Sequence, residues 1–493
     1  MATSPVASSA TPHPDFTEAQ RKKYEELRSE LVVDTDKLKR LQEGFTRAMD
    51  DGLANYGSLV PMIPAFVVNR LTGVETGTYL ALDLGGTNAR VCSAELCGNG
   101  EIKIISREFT VPDDKKVGED KDIIFDFLAE CVEIFLNAVP ETRRDEKSAS
   151  QELLMGFTFS FPLEQTAIDK GTIMYWNKNF DLPGAVNQDV VQLLQAALER
   201  KHLAVRVTAV VNDTVGCLLA NAYRNPKTSI GVIFGTGTNA AYYARLPTIS
   251  KWTRQHDIAA DPATRGATEM TVNTEWGAYE TDPAVLPPTR FDVSIDRRTR
   301  NPGKQLFEKL ISGMYLGELV RLILVELIDE RLLFDGHSSD EFNRAYAFHT
   351  SYLSEIKKDT SADLEGTRGK LEDVMGLPRG TTTLADRYFV REVCQLVAER
   401  AARLGGMALA SILSYRADEL REKDAEVAIG VDGSLYEKYP GFDKHIMDAM
   451  RETLGADLVD GKVTLGMVED GSAKGAALAA MLAKHKLEAT ATV

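Results

Sequence analysis

Leu82-Asp83-Leu84-Gly85-Gly86-Thr87-Asn88 and Phe234-Gly235-Thr236-Gly237-Thr238-Asn239 are the two stretches whose reading decides the fold. Each follows a short apolar run, Tyr79-Leu80-Ala81-Leu82 or Ile230-Gly231-Val232-Ile233, and each precedes a second extended run, Val91 to Leu96 or Ala240 to Tyr243. Two such runs joined by a Gly-rich turn make a β-hairpin. Glycine has no Cβ, so the turn bends sharply and its backbone approaches an anion closely. Successive N–H groups in the turn form a nest for phosphate, and Thr and Asn add side-chain donors. Asp83 is placed to hold a hydrated Mg²⁺ beside that phosphate. One Gly-rich turn is an ordinary hairpin. Two at corresponding places in two halves predict a nucleotide clamped between two lobes.

Outward from the hairpins, the two halves repeat one order of elements. Residues 15–54 read as helical from the rhythm of Leu27, Leu31, Leu38, Leu41 and Phe45. Extended runs follow at 78–84, 90–96 and 101–110, then a helix at 122–138 and a strand at 153–159. The second half has extended runs at 229–235, 239–245 and 268–274, then a long helix near 303–331. A helical stretch at 384–415 leads to a strand at 426–432 and a final helix at 472–486. His337 to Thr383 is polar and irregular, and is expected to be a peripheral helical insert. The doubled unit predicts an α/β protein with a two-lobed, actin-like ATPase (ribonuclease H-like) fold and ligands in the cleft between lobes. The expected divisions are a disordered tail at 1–14 and an N-terminal region at 15–223 that includes the small lobe. A C-terminal region at 224–486 forms the large lobe, and 487–493 is a tail.

Composition narrows the function classes. The chain has 493 residues, 44% hydrophobic and 26% charged, with a net charge of −16. That is an ordinary globular composition, and the acidic balance argues against a nucleic-acid surface, which needs a basic face. Five scattered cysteines without a CxxC pattern argue against a disulfide framework or zinc site and for free thiols in a reducing compartment. No apolar run approaches the ~20 residues of a membrane span. Met1 to Pro14 has neither the basic region nor the apolar core of a signal peptide. A cytosolic protein with no membrane or nucleic-acid partner, monomeric or homodimeric, is the expectation.

A further series of motifs is specific. Met155-Gly156-Phe157-Thr158-Phe159-Ser160-Phe161-Pro162 precedes Trp176-Asn177-Lys178-Asn179-Phe180. Then come Val211-Asn212-Asp213-Thr214-Val215-Gly216, Asn273-Thr274-Glu275-Trp276-Gly277-Ala278, Asn301-Pro302-Gly303-Lys304-Gln305-Leu306-Phe307-Glu308-Lys309 and Val431-Asp432-Gly433-Ser434-Leu435-Tyr436. From about residue 20 to 485, in order, this series resembles the eukaryotic, fungal-type hexokinase and glucokinase family. The resemblance implies an ATP-dependent hexose 6-phosphotransferase of the first step of glycolysis, with glucose as the foremost hexose substrate and Mg²⁺ with ATP. It implies Asp213 and Lys178 as catalytic residues. It implies Ser160, Asn177, Lys178, Asn212, Asp213, Asn239, Glu275 and Glu308 as the sugar-binding set. Asp83, Gly85, Gly86, Thr87, Asn88, Arg90, Gly235, Thr236, Gly237, Gly433 and Ser434 would hold the nucleotide, with Asp83 binding the metal through water.

The residue types suit that chemistry. Phosphoryl transfer to an alcohol needs a base within reach of the hydroxyl proton, and an aligned carboxylate suffices. Asp213 ends an apolar run (Val207, Ala209, Val210, Val211), where an acid would otherwise serve as a helix N-cap. A polyol needs both acceptors and donors. Glu275 and Glu308 accept, Lys178 donates, and Ser160, Asn177, Asn212 and Asn239 do either. Lys178, between Trp176 and Phe180, could neutralise charge on the transferred phosphate. The chain departs from the family pattern at Asn177 and Asn179 (commonly Thr and Gly), at Ala89, at Thr238 and Ala240 in the second hairpin, and at Ala473, where Gly is usual. Two other readings stand beside the first: a hexokinase-like sugar sensor with little catalysis, and a kinase for N-acetylglucosamine or an amino sugar.

Overall fold

Each Gly-rich turn closes a hairpin, and each hairpin seeds one sheet. In the computed structural model, which describes residues 15–68, 70–139, 152–176, 180–256, 264 and 266–491 (side chains to residue 484), the first hairpin is β2 (Thr76–Leu84) with β3 (Asn88–Cys97). The second is β9 (Thr228–Phe234) with β10 (Thr238–Arg245). Both turns span three residues, 85–87 and 235–237. They are closed by Gly85 N–H to the Asn88 carbonyl and by Gly235 N–H to the Gly237 carbonyl, each 3.0 Å.

The sheets grow from these hairpins by one rule. Antiparallel β4 (Ile102–Thr110) extends the first on one side, and parallel β5 (Leu153–Phe159) and β8 (Val205–Val211) extend it on the other, giving the order β4-β3-β2-β5-β8. The second sheet adds antiparallel β11 (Glu269–Asn273) and parallel β12 (Val427–Asp432) and β13 (Val463–Met467) in the same positions. A short edge strand, β1 (Ile63–Pro64), completes the order β1-β11-β10-β9-β12-β13. β6 (Leu163–Ala167) and β7 (Lys170–Ile173) pair separately. The expected doubled, two-lobed α/β architecture is present.

The period-2 alternation of the strands feeds two cores at once. Leu80, Leu82 and Leu84 of β2 pack outward with α3 (Ile123–Ala138) and α4 (Val190–Arg200), while Tyr79 and Ala81 face the other way. That inner core is built largely of small residues. It joins both sheets through α5 (Asp213–Arg224) and the C-terminal helix (Gly471–Ala491). The helices touch at glycines: a Cβ on Gly475 would fall 2.1 Å from Gly216 Cα, and one on Gly156 would fall 1.9 Å from the Ala476 carbonyl oxygen. The ends of the chain change sides. α1 (Glu18–Leu31) and α2 (Thr35–Ala54) pack into the core of the second sheet, and the C-terminal helix covers the first.

Local chemistry explains the breaks that periodicity alone missed. The stretch at 15–54 is interrupted at Val32–Asp34, where Asp34 caps α2 through the Lys37 N–H. The expected long helix near 303–331 is two, α8 (Leu306–Ile311) and α9 (Gly313–Asp329), preceded by short α6 (Ser250–Thr253) and α7 (Arg290–Arg298). Ser312 between them is extended. The chain there donates Gly313 N–H to the Gly235 carbonyl (2.8 Å) and Met314 N–H to the Thr236 carbonyl (3.2 Å), exchanging helical bonds for contacts with the second turn. The segment 337–383 is not peripheral. It forms α10 (Asp340–Asn343), α11 (Thr350–Lys358) and α12 (Glu365–Gly369), and buries Phe342, Phe348, Leu353 and Leu371 in the main core beside α13 (Leu384–Ser414). Among the described residues, no helix is long and apolar enough to cross a membrane. All five cysteines are free thiols, four of them buried.

Candidate active site

Parallel strands end together, and the sites lie at those ends. Leu84 of β2 pairs with Phe159 of β5, and Thr158 of β5 with Val211 of β8. The first Gly-rich turn, Ser160 and Asn212-Asp213 therefore share one edge. In the second sheet, Asp432 of β12 pairs with Ile233 of β9, which brings Gly433 against the second turn. Carboxyl ends of strands in open α/β sheets are where ligands bind.

Asn212 and Asp213 divide the work at the start of α5. Asn212 is the N-cap, its Oδ1 accepting the Thr214 N–H (2.9 Å) and hydroxyl (2.7 Å). Asp213 is the first helical residue, half-buried, with Oδ1 accepting the Thr214 N–H at 2.9 Å. The capping role open to an acid at this strand end thus falls to its neighbour.

Around them a polar network converges from distant segments. Asn239, on β10 just past the second turn, donates Nδ2 to Oε1 of Glu275 (3.1 Å), to Oδ1 of Asn273 (2.8 Å) and to Oδ1 of Asn212 (3.4 Å). Its own Oδ1 accepts from the Thr274 hydroxyl at 3.1 Å and the Ala240 N–H at 2.8 Å. Asn273 also donates to Glu275 Oε1 at 2.8 Å. Glu275 takes a left-handed backbone (φ 51°) that an unconstrained Glu avoids, so the network fixes it against local preference. Glu308 on α8 accepts the Thr238 N–H at 3.2 Å, and a Cβ on Gly237 would stand 2.8 Å from its Oε2. Gly237 is needed for this close approach. None of Gly85, Gly235 and Gly237 takes a positive φ, and of the three only Gly237 has a neighbour closer than ordinary contact to an added Cβ. Ser160 is buried at the end of β5. Asn177 and Lys178 fall outside the described residues, as does Asn179. Their neighbours Trp176 and Phe180 stack with centroids 5.6 Å apart.

The residues expected to hold the nucleotide come together from three turns. Asp83 is half-buried and pairs across the hairpin with Arg90, whose Nη1 lies 2.5 Å from Asp470 Oδ1. Gly85 and Gly86 are half-buried and Thr87 is exposed beside them. Asn88 has its amide committed to Glu108 on β4 (2.6 Å). Gly433, at φ 116°, comes so near the second turn that a Cβ would meet the Phe234 carbonyl at 2.4 Å and the Gly235 nitrogen at 2.7 Å. Ser434 opens the short helix that follows it, and Thr236 is the exposed middle of the second turn.

Three residues of this cleft escaped sequence reasoning as site members: Asn273, Gln305 and Asp432. Asn273 is the last residue of β11, two before Glu275, and its place in the same motif as that acid is the signal that could have found it. Gln305 (φ 55°) has its Oε1 2.6 Å from where a Cβ on Gly277 would be. The Asp432 carboxylate faces the start of the C-terminal helix, its Oδ2 3.1 Å from where a Cβ on Gly471 would be, with the Gly433 and Gly471 N–H groups acting on it. Burial raises its pKa above the ordinary value despite those donors, and the charge of Asp213 adds to the rise. Two departures from the family pattern also find physical reasons. Thr238 accepts the Trp276 indole N–H at 3.2 Å, and the Ala473 methyl is buried in the inner core.

Comparison with known proteins agrees with this architecture. Family models described as hexokinase match residues 23–223 and 229–482. The chain is 35% identical to hexokinase-1 of Saccharomyces cerevisiae over 464 residues, covering 94% of this chain and 92% of that protein. It is 38% identical to glucokinase of Aspergillus niger, covering 90% and 94% respectively. The solved hexokinase of Schistosoma mansoni complexed with glucose superposes with a TM-score of 0.81 at 34% identity, over 95% of this chain and 99% of that one. With its doubled sheet, its two Gly-rich turns and the network around Asp213, the chain belongs to the hexokinase family.

Proposed function

We propose that this cleft transfers the terminal phosphoryl group of ATP to the 6-hydroxyl of a hexose, glucose foremost, with Asp213 as the general base, in the cytosol. The observation that carries the reading is the network joining Asn212, Asn239, Asn273 and Glu275 beside Asp213. It presents fixed acceptors and donors in one place, which a polyol requires because each unpaired buried polar group costs ~1–3 kcal/mol. Ser160, Asn177, Lys178 and Glu308 complete the sugar contacts in this reading. Asp213 takes the hydroxyl proton as the oxygen attacks, and Asn212, by capping α5, leaves the carboxylate of Asp213 for that task.

The turn at 85–87 and the turn at 235–237, with Gly433 and Ser434, cradle the phosphates with backbone N–H groups, where the close approach of Gly433 to Gly235 leaves no room for a side chain. Arg90 and Lys178 offset the charge that develops on the transferred group. Asp83 fits a Mg²⁺ held through water, since that ion favours one carboxylate plus substrate phosphates, and it would neutralise phosphate charge. A coupled ADP-release assay across glucose, fructose, mannose and N-acetylglucosamine tests the proposal. Phosphorylation of glucose supports it. Tight sugar binding without turnover of any of the four would replace it with the sensor reading, and turnover of N-acetylglucosamine alone would reassign the substrate.

A further inference from the structure

Thr238 and Asn239 open β10 and face opposite ways, as neighbours in a strand must. The Asn239 side chain joins the polar network, whereas Thr238 is buried on the other face. Its hydroxyl is thus turned from the sugar side. It accepts the Trp276 indole N–H at 3.2 Å, while the Thr238 backbone N–H donates to Glu308 Oε2, also at 3.2 Å.

Trp276 is wholly buried in a cluster of rings with Phe45, Phe234 and Phe307, whose centroids lie 6.2, 6.3 and 6.5 Å away. Each acid of the site is joined directly to a ring of that cluster: Glu275 precedes Trp276, and Glu308 follows Phe307. The two segments also touch, since a Cβ on Gly277 would stand 3.1 Å from Glu308 Cβ. How the indole sits therefore bears on where both carboxylates stand. Apolar burial is non-directional and leaves a ring free to shift in its plane. The bond to Thr238 fixes the one polar atom of the indole. Glu275, held at φ 51°, depends on such a fixed neighbour, because a strained backbone persists only where its surroundings hold it.

We propose that Thr238 is a positioning residue for the hexose: its hydroxyl anchors the Trp276 indole, and through that ring and its own backbone N–H it holds Glu275 and Glu308 in the geometry that receives the sugar. The inference rests on the hexose-kinase reading of this cleft. Without the hydroxyl, the buried indole N–H loses its acceptor, and the ring favours arrangements in which it regains one. The receptive geometry then becomes a fraction of the population, and apparent sugar affinity falls by that fraction. Bound sugar restores the geometry, so turnover is spared.

Two variants separate the hydroxyl from the packing. Thr238→Val keeps the shape of the side chain and removes the acceptor, whereas Thr238→Ser keeps the acceptor and removes a methyl group. Sugar affinity is read by calorimetry without nucleotide, using whichever of the four sugars above binds wild type most tightly, and Tm is measured alongside. Thr238→Val is expected to weaken affinity roughly threefold to tenfold, the effect of one neutral hydrogen bond. Its KM should rise by the same factor while kcat stays within about twofold. Thr238→Ser should bind within about twofold of wild type even though the lost methyl lowers its Tm. Unchanged affinity in Thr238→Val, or an equal loss in Thr238→Ser, would overturn the proposal. Trp276→Phe removes the donor instead of the acceptor and should show the same loss with kcat spared, so the question stays decidable if Thr238→Val does not fold. Unchanged affinity in Trp276→Phe overturns the proposal as well. Wild type that binds sugar but transfers no phosphate defeats the kinase reading only, because calorimetry still decides the role of Thr238. Binding of none of the four sugars overturns both.

Discussion

Asn239 Nδ2 lies 3.1 Å from Oε1 of Glu275 and 3.4 Å from Oδ1 of Asn212, so one amide links the second Gly-rich turn, the end of β11 and the cap of α5. Asn239→Ala removes a donor to a carboxylate, a bond worth ~1.5–3 kcal/mol. Hexose KM is expected to rise about tenfold or more. Asn239→Asp, which sets a second carboxylate beside Glu275, should be worse than Ala. Steady-state kinetics of the two variants check both the size and the order. An Asp variant as good as wild type would show that the amide is not the organising donor.

Asp213 is the first residue of α5, and the Thr214 N–H that it accepts is also held by the N-cap Asn212, so its replacement should spare the fold. Asp213→Ala is expected to reduce kcat by ~10²–10⁴-fold, the range for loss of a general base. Sugar affinity measured by calorimetry should change only a few-fold. Turnover near the wild-type rate would remove Asp213 from the base role.

Gly475 meets Gly216 backbone to backbone, with 2.1 Å between an added Cβ and the Gly216 Cα. Intrinsic helix propensity predicts that Gly475→Ala stabilises the C-terminal helix by about 1 kcal/mol. The contact predicts the opposite sign, since a Cβ there forces the helices apart at a cost of ~1–3 kcal/mol or more. Thermal unfolding should therefore show a lower Tm for the variant, and a raised Tm would mean that the crossing is loose.

Lys251, on α6, is buried, with Nζ 2.6 Å from the Pro61 carbonyl and 5.1 Å from the centre of the Tyr56 ring. Among the described residues no carboxylate pairs with it, and desolvation lowers its pKa from 10.5 to about 8. Between those two values the unfolded chain holds a proton that the folded chain lacks, so this group adds stability as pH rises from about 8 toward 10.5. Relative to Lys251→Met, wild type should gain ~1–3 kcal/mol between about pH 7.5 and 10 in denaturant titrations. Parallel pH profiles for the two proteins would show that Lys251 is not strained by burial.

Much of the fold was legible locally. The hairpins could be read because Leu80, Leu82 and Leu84 alternate with residues facing the opposite core, and because a Gly-rich turn follows each apolar run. Helix starts carried their own caps, as with Thr383 and Asp386 at the head of α13. The site was less legible. Glu275 and Glu308 look like solvated acids until their motifs are matched, and nothing in periodicity singles out Gln305. The break at Ser312 and the burial of Phe342 and Leu353 were missed because both depend on partners far along the chain: the turn at 235–237 for the first, the main core for the second.

The amino-acid sequence alone determined the doubled sheet, the two turns and the family, because strand alternation, turn chemistry and motif order are properties of neighbouring residues. Only the tertiary structure decided that Asn212, Asn239, Asn273 and Glu275 form one network. It also decided that the first helices serve the second sheet while the last helix serves the first. Those outcomes follow from which apolar faces pack together. Such packing is set by the shape and volume of both partners, as at Gly475 against Gly216, where each chain segment carries only half of the information.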